Sequence, residues 1–238
     1  MRIQIITVLA SLAVLSCSQG AIPVPEVVKS HPEYPSFTAV QKARCTPVQL
    51  FNGQDLSGFS IISQEPEEYK VEDGAMHFSG RGTGYVATEK EYANYYLHVC
   101  QRFGKANYGA PGSRMDAGIC YHLAPEDKVW PASVECNIIE QGYGEVWFVP
   151  FATGDTPDNR IERYSNGYAH SFVNEDFGLP LGEWNTFEVI AVGDRSWHYV
   201  NGNLVERTEN LSCKSGRILL QMENCETYYK DVYLIPLI

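Results

Sequence analysis

The chain has 238 residues with 18 basic and 29 acidic side chains, so it is long enough to bury a sizeable core and, at a net charge of −11, carries the wrong sign to hold a phosphate backbone. Nucleic acid is thereby set aside as a partner. With no linker-like stretch in mid-chain, one large all-β domain is expected rather than two small ones.

The first seventeen residues have a basic start at Arg2, an apolar run from Ile3 to Leu15 and small residues before Cys17, which reads as a secretory signal too short to span a membrane. Val14-Leu15-Ser16-Cys17 resembles the lipobox of bacterial lipoproteins. That resemblance implies a lipid on Cys17, anchorage to a membrane and a periplasmic or cell-surface location. Ordinary cleavage near Gly20, giving a secreted chain, is the alternative. Residues 18–44 carry Pro23, Pro25, Pro32 and Pro35 and suit a tether, with the folded domain expected over 45–238. Six further cysteines, at 45, 100, 120, 136, 213 and 225, allow 15 disulfide pairings.

From Cys45 onward, short β-prone runs alternate with turn signals such as Glu72-Asp73-Gly74, Gly80-Arg81-Gly82 and Gly193-Asp194. Leu50 to Leu56 is the one place where a short helical turn is expected. Asn201-Gly202 reads as a type I′ hairpin joining Ser196–Val200 to Asn203–Arg207, because both residues tolerate positive φ. Many short strands without internal repeats predict a jelly-roll β-sandwich of two antiparallel sheets. Residues 150–183, broken by Gly154, Pro157, Gly167, Gly178 and Pro180, read as a looped excursion that forms a rim or lid over one sheet.

The stretch from Asp116 to Trp147 carries the chemistry. Side chains two apart in a strand share a face, so Gly118, Cys120 and His122 are expected on one side, opposite Ala117, Ile119 and Tyr121. In the next run Ser133, Glu135 and Asn137 oppose Val134, Cys136 and Ile138. Those faces argue against a bond between Cys120 and Cys136, and the absence of any C-x-x-C gives little support to a zinc or dithiol site.

Leu50-Phe51-Asn52-Gly53-Gln54-Asp55-Leu56-Ser57-Gly58-Phe59 is similar to the opening of the 3-keto-disaccharide hydrolase domain family. Val71-Glu72-Asp73-Gly74, Gly84-Tyr85-Val86-Ala87-Thr88, Gly182-Glu183-Trp184-Asn185 and Ser215-Gly216-Arg217-Ile218 follow in the family's order. The resemblance covers about 48–238. It implies a concanavalin-like jelly roll with a concave ligand face, and cleavage of glycosides whose sugar carries a ketone at C3. Such a ketone acidifies the C2 proton, so a base and an acid suffice to expel the C1 substituent, and water then adds to the enone.

Mapped onto this sequence, the resemblance implies His122 and Glu135 as acid and base, in an order left open. Trp130 is implied as a sugar-stacking wall, and Arg102 or Lys128 as an electrostatic donor. Asn137 stands where the family has a glutamine, and Glu223 matches the glutamate of a late motif. The family strand with charged residues reads Tyr95-Tyr96-Leu97-His98-Val99-Cys100-Gln101-Arg102 here, with His98 and Cys100 expected on the concave face. No cofactor is expected, and no ligand spacing is diagnostic of a metal, although Asp116, Glu140 and Glu145 are carboxylates of the type a hard cation takes. The competing reading is a non-catalytic carbohydrate-binding module of the same fold, and a structural adhesion domain ranks behind both.

Overall fold

A computed structural model describes residues 47–237 apart from 64, 66–67 and 158–159. The signal segment with Cys17, the Pro-rich stretch and Cys45 lie outside the described residues. Among the described residues the regular elements are sixteen strands in two antiparallel sheets.

The back sheet runs β14 (Asn203–Thr208), β13 (Arg195–Val200), β12 (Asn185–Val192), β6 (Tyr95–Asn107), β16 (Cys225–Pro236), β4 (Ala75–Phe78) and β3 (Tyr69–Glu72), with β1 (Val48–Gln49) also beside β16. The front sheet runs β10 (Glu162–Arg163), β11 (Ala169–Ser171), β9 (Val146–Phe148), β8 (Val134–Ile139), β7 (Asp116–Leu123), β15 (Arg217–Glu223), β5 (Thr83–Thr88) and β2 (Phe59–Ser63). The jelly-roll sandwich expected from the sequence is the fold observed.

Alternation explains how the layers close. Leu97, Val99 and Phe103 of β6 and Phe187 and Val189 of β12 meet Ala117, Ile119 and Tyr121 of β7 and Val134, Cys136 and Ile138 of β8 in one dry core. A polar tie crosses it. Burial pushes His198 down to about 4, so the ring is neutral; it donates from Nδ1 to the Gly144 carbonyl at 3.0 Å and accepts the Tyr121 hydroxyl at Nε2, 2.9 Å away. The Tyr121 oxygen also lies 2.5 Å from Ser196 Oγ, so all three polar side chains have partners.

The turns follow the sequence chemistry. Asn201 and Gly202 have φ of 49° and 80°, and Asp73 and Gly74 have 49° and 76°, the values a type I′ hairpin needs. Residues 50–56 do not form a helical turn. The Asn52 side chain accepts the Gln54 and Asp55 amides, and Asp55 accepts the Ser57 amide, so side chains take the donors that a helix would have used. The thiols of Cys100, Cys120, Cys136, Cys213 and Cys225 are free, and Cys120 and Cys136 lie on opposite faces of the front sheet as expected.

Candidate functional site

The outer face of the front sheet holds a cleft of about 430 Å³. Its floor is laid down by strand register. Asp116 of β7 sits directly beside Glu223 of β15, while Glu135 of β8 has Cys120 on one flank and Trp147 of β9 on the other. Trp147 is in turn paired with His170 of β11. Chain segments far apart in sequence therefore contribute alternate side chains to one surface.

Glu135 is 7 % exposed and leans across β7, where its Oε1 accepts the Gln221 amide at 2.8 Å. Gly118 makes that crossing possible, because a Cβ built there meets both Glu135 Oε1 and Gln221 Nε2 inside contact distance. Burial, then the nearby Glu223 and Asp116 carboxylates, push the Glu135 acid well above the ordinary range. Burial raises both Asp116 and Glu223, with Glu223 adding to the rise at Asp116 and Arg114 opposing it. Asp116 Oδ1 finds no hydrogen-bond partner among the described residues. Three carboxyls thus share a space in which they do not all ionise at neutral pH.

One wall is aromatic. Trp147 stacks on His170 with centroids 4.1 Å apart and planes 14° from parallel, and on Tyr164 at 5.8 Å and 16°. Phe172 meets His170 edge-on at 4.1 Å, and Tyr168 meets Trp147 edge-on at 6.3 Å. Glu145 Oε2 fixes the buried His170 through Nε2 at 2.9 Å. Trp130, from the loop between β7 and β8, joins the lining with a left-handed φ of 64°. Flat rings beside a few aimed polar groups suit a ring-shaped ligand with C–H faces and hydroxyls.

Of the residues singled out from the sequence, Glu135, Asn137, Trp130 and Glu223 come together in this cleft. His122 does not. β7 carries a bulge against β15, where Arg217 pairs Leu123 but Leu219 pairs Cys120, and His122 sits in it with φ of 56°. The extra residue turns the imidazole off the ligand face and puts Leu123 there instead, packed with Cys120 and Leu219. The His122 ring is 1 % exposed, with Nδ1 3.0 Å from the Cys213 carbonyl and Nε2 3.2 Å from that of Ala93. Burial lowers its pKa, and a structural role fits this placement.

Arg102 is also elsewhere. It lies on the outer face of the back sheet, its guanidinium 4.0 Å from the Tyr228 ring centroid and 5.1 Å from that of Trp184. His98 and Cys100 share that face, so the departures at those positions do not touch the cleft. Lys128 is near but not in the lining, its ammonium 2.7 Å from Glu126, while its carbonyl accepts the Tyr85 hydroxyl. Of the carboxylates considered for a cation, Asp116 and Glu145 line the cleft and Glu140 does not. Among the described residues no three metal-ligating side chains are grouped to hold an ion.

Sequence reasoning missed Trp147, Tyr164, Tyr168, His170, Phe172, Arg114 and Gln221. A signal was available in the spacing Arg114-x-Asp116, Glu145-x-Trp147 and His170-x-Phe172, three polar or aromatic pairs two residues apart. The excursion over 150–183 supplies β10, β11 and, beside Trp147 of β9, the Tyr164, Tyr168, His170 and Phe172 rings of the aromatic wall, the rim that its loop-rich composition suggests.

Comparison with known proteins agrees with the fold. A candidate glycosyl hydrolase of Parabacteroides distasonis superposes with a TM-score of 0.59 at 18% identity, over 84% of this chain and 97% of its own. A beta-glucanase of Bacillus licheniformis gives 0.54 at 11% identity over 82% and 99%, and the carbohydrate-binding module CBM66 of Bacillus subtilis 0.53 at 11% over 74% and 93%. No curated protein matches in sequence. The 3-keto-alpha-glucoside-1,2-lyase-like domain matches residues 46–235, and the chain belongs to that family.

Proposed function

We propose that this protein is an exported carbohydrate-active enzyme that cleaves 3-keto-glycosides by removing the C2 proton, expelling the C1 substituent and hydrating the resulting enone. The observation that carries the reading is the group of Asp116, Glu135 and Glu223, one buried and two half-buried carboxyls with raised pKa values in one cleft walled by aromatic rings. Family membership supplies the substrate class and the 1,2-elimination.

In this reading the ionised member of the Asp116–Glu223 pair takes the C2 proton, and its raised pKa makes it a stronger base than an exposed carboxylate. The electron pair moves into the C3 ketone as an enolate. Collapse of the enolate breaks the bond from C1 to the glycosidic oxygen, which leaves with the Glu135 proton. Gln221 holds Glu135 Oε1, so the other oxygen is free to carry that proton. Water then adds across C1 and C2 to give the 3-keto sugar. Trp147 and Trp130 hold the sugar ring, while Arg114 and Asn137 provide donors at the margin. His122 takes no part in the chemistry.

A carbohydrate-binding module is the second reading, favoured by the ring stack of Trp147, Tyr164 and His170, which would serve binding alone equally well. Turnover of a 3-keto-glucoside with a chromogenic leaving group separates the two. The enzyme reading expects Glu135→Gln and Asp116→Asn each to lose about 10²- to 10⁴-fold in kcat, with Arg102→Ala unchanged. Tight binding without turnover by the unaltered chain would leave the module.

A further inference from the structure

We infer that the cleft continues past Glu135 into an aglycone subsite shaped for an apolar ring rather than for a second sugar, with Phe151 as its outer platform. The inference rests on the reading of Glu135 as the acid at the glycosidic oxygen. Strand register gives the cleft its direction. Asp116 and Glu223 are partners at one end of β7 and β15, whereas Glu135 belongs to the row Leu219–Cys120–Glu135–Trp147–His170, about 13 Å further along β7. From that row the Glu135 carboxyl reaches back to Gln221, which pairs with Gly118, and so stands between the two ends. With the C2 proton at the Asp116–Glu223 end and the leaving oxygen at Glu135, the departing group points onward, away from Asp116.

The lining changes character along that line. Arg114, Asp116, Asn137, Glu145 and Glu223 all lie short of the Glu135 row, and beyond it the lining consists of Trp130, Tyr164 and Tyr168. Three loops meet there. The Val149 amide donates to the Ser133 carbonyl at 3.0 Å, which sets the 149–152 turn beside the 124–132 loop, and the Lys128 ammonium lies 5.9 Å from the Phe151 ring centroid. On the other side a Cβ at Gly167 would sit 3.5 Å from Pro150, so the turn from Tyr164 to Gly167 packs against the same segment. Phe151 therefore stands between the loop that supplies Trp130 and the turn that supplies Tyr164.

Its ring is 85 % exposed, and Val129 on the facing loop is 40 % exposed. Trp130 and Phe151 also share a left-handed φ, 64° and 80°, a backbone state uncommon for bulky side chains and one that clusters at ligand clamps. Two loops thus hold large apolar groups out at the mouth of a cleft, where burial against a ligand ring would gain what exposure to water forgoes. A second sugar would instead need partners for several hydroxyls. The Lys128 ammonium is already 2.7 Å from Glu126, and the Tyr164 hydroxyl donates to Glu162 at 3.3 Å.

The test uses benzyl and methyl 3-keto-α-glucosides, whose leaving alcohols are nearly equal in acidity and differ by the ring, together with a 3-keto-disaccharide of glucose. The unaltered chain is expected to favour the benzyl over the methyl glycoside by about 10- to 100-fold in kcat/KM, and Phe151→Ala, with its fold checked by circular dichroism, should cut that preference to about 3-fold or less. Calorimetry with the unoxidised benzyl and methyl α-glucosides, which lack the ketone and are not cleaved, reads the same preference as binding. Preference in binding without turnover of any 3-keto-glycoside would strike the hydrolase and support the subsite. Turnover with no benzyl preference, or a preference that survives Phe151→Ala, would overturn the subsite and leave the hydrolase standing. A disaccharide cleaved more efficiently than the benzyl glycoside would overturn it in favour of a second sugar, and neither turnover nor binding of any of these would overturn both readings.

Discussion

Gly118→Ala tests the architecture of the cleft most directly, because the sign of its effect is decided by one contact. Gly118 lies in mid-strand with no positive φ, and there Ala ordinarily stabilises by about 0.5–1 kcal/mol through the unfolded chain and strand propensity. The structure reverses that expectation. A methyl at this position comes within 2.7 Å of Gln221 Nε2 and closer still to Glu135 Oε1, so the 2.8 Å hydrogen bond between them must give way or shift. Losing that bond with both partners buried costs about 1–3 kcal/mol, and overpacking about 1–3 more. A central value near 4 kcal/mol corresponds to a melting temperature lower by on the order of 10 °C for a domain of this size. Moving the Glu135 carboxyl by about 1 Å should also cost about 10²-fold in kcat/KM on a 3-keto-glycoside. Calorimetry on Gly118→Ala, Gln221→Ala and the double variant checks the mechanism, since removing the amide gives the carboxyl room and the two losses should fall short of additive by at least ~1 kcal/mol. An unchanged or raised melting temperature for Gly118→Ala would refute the crossing of Glu135 over β7.

Glu188, 6 % exposed on β12, is raised by burial from the ordinary 4.5 to about 7. Its folded pKa exceeds its unfolded one, so its contribution is fully present below pH 4.5 and is lost as pH rises through 7, amounting to roughly 3 kcal/mol at 1.36 kcal/mol per pH unit. Glu188→Gln should therefore stabilise by about that much more at pH 8 than at pH 4 in urea denaturation, and equal effects at the two pH values would contradict it. Trp147→Ala removes the ring stacked on His170 and Tyr164 and is expected to raise KM about 10- to 100-fold with kcat changed less than 5-fold, from the ~1–3 kcal/mol such a platform supplies. A fall in kcat alone would instead place the ring at the reacting atoms. His122→Ala should cost about 2–4 kcal/mol by leaving a cavity and taking the single N–H of the neutral ring from the Ala93 or Cys213 carbonyl it serves, while turnover per folded molecule is retained. A 10³-fold fall in kcat with an unaltered melting temperature would return His122 to the chemistry.

The contrast between Glu135 and His122 shows what strand periodicity can and cannot convey. Period-two alternation placed Ser133, Glu135 and Asn137 opposite Val134, Cys136 and Ile138, and the structure agrees because β8 pairs without a slip along its length. The same rule applied to β7 holds from Asp116 to Tyr121 and then fails, since one inserted residue exchanges the faces of His122 and Leu123. Nothing in the run Cys120-Tyr121-His122-Leu123 marks that insertion. It is accommodated just ahead of β15, where Gly216 packs a backbone without a Cβ against the Leu123 carbonyl, a close approach that only the fold reveals. The misplacement of Arg102, His98 and Cys100 has a different origin: alternation gives two faces to every strand but does not say which of two sheets the strand joins.

That limit also explains why the cleft is more acidic than any local motif suggests. Asp116 and Glu223 are over a hundred positions apart and become neighbours only through the antiparallel register of β7 with β15, and Glu135 reaches them only because Gly118 leaves the strand between them bare. Three carboxylates brought this close in a partly buried cleft would repel if all were ionised, so the fold tolerates them by keeping protons on the cleft at neutral pH. A purely structural face would gain stability by exchanging one of them for an amide, as Asn137 and Gln221 already illustrate on the same surface. Retaining acids where amides fit is a cost to the fold that proton transfer in the cleft would explain and that sugar binding alone would not require.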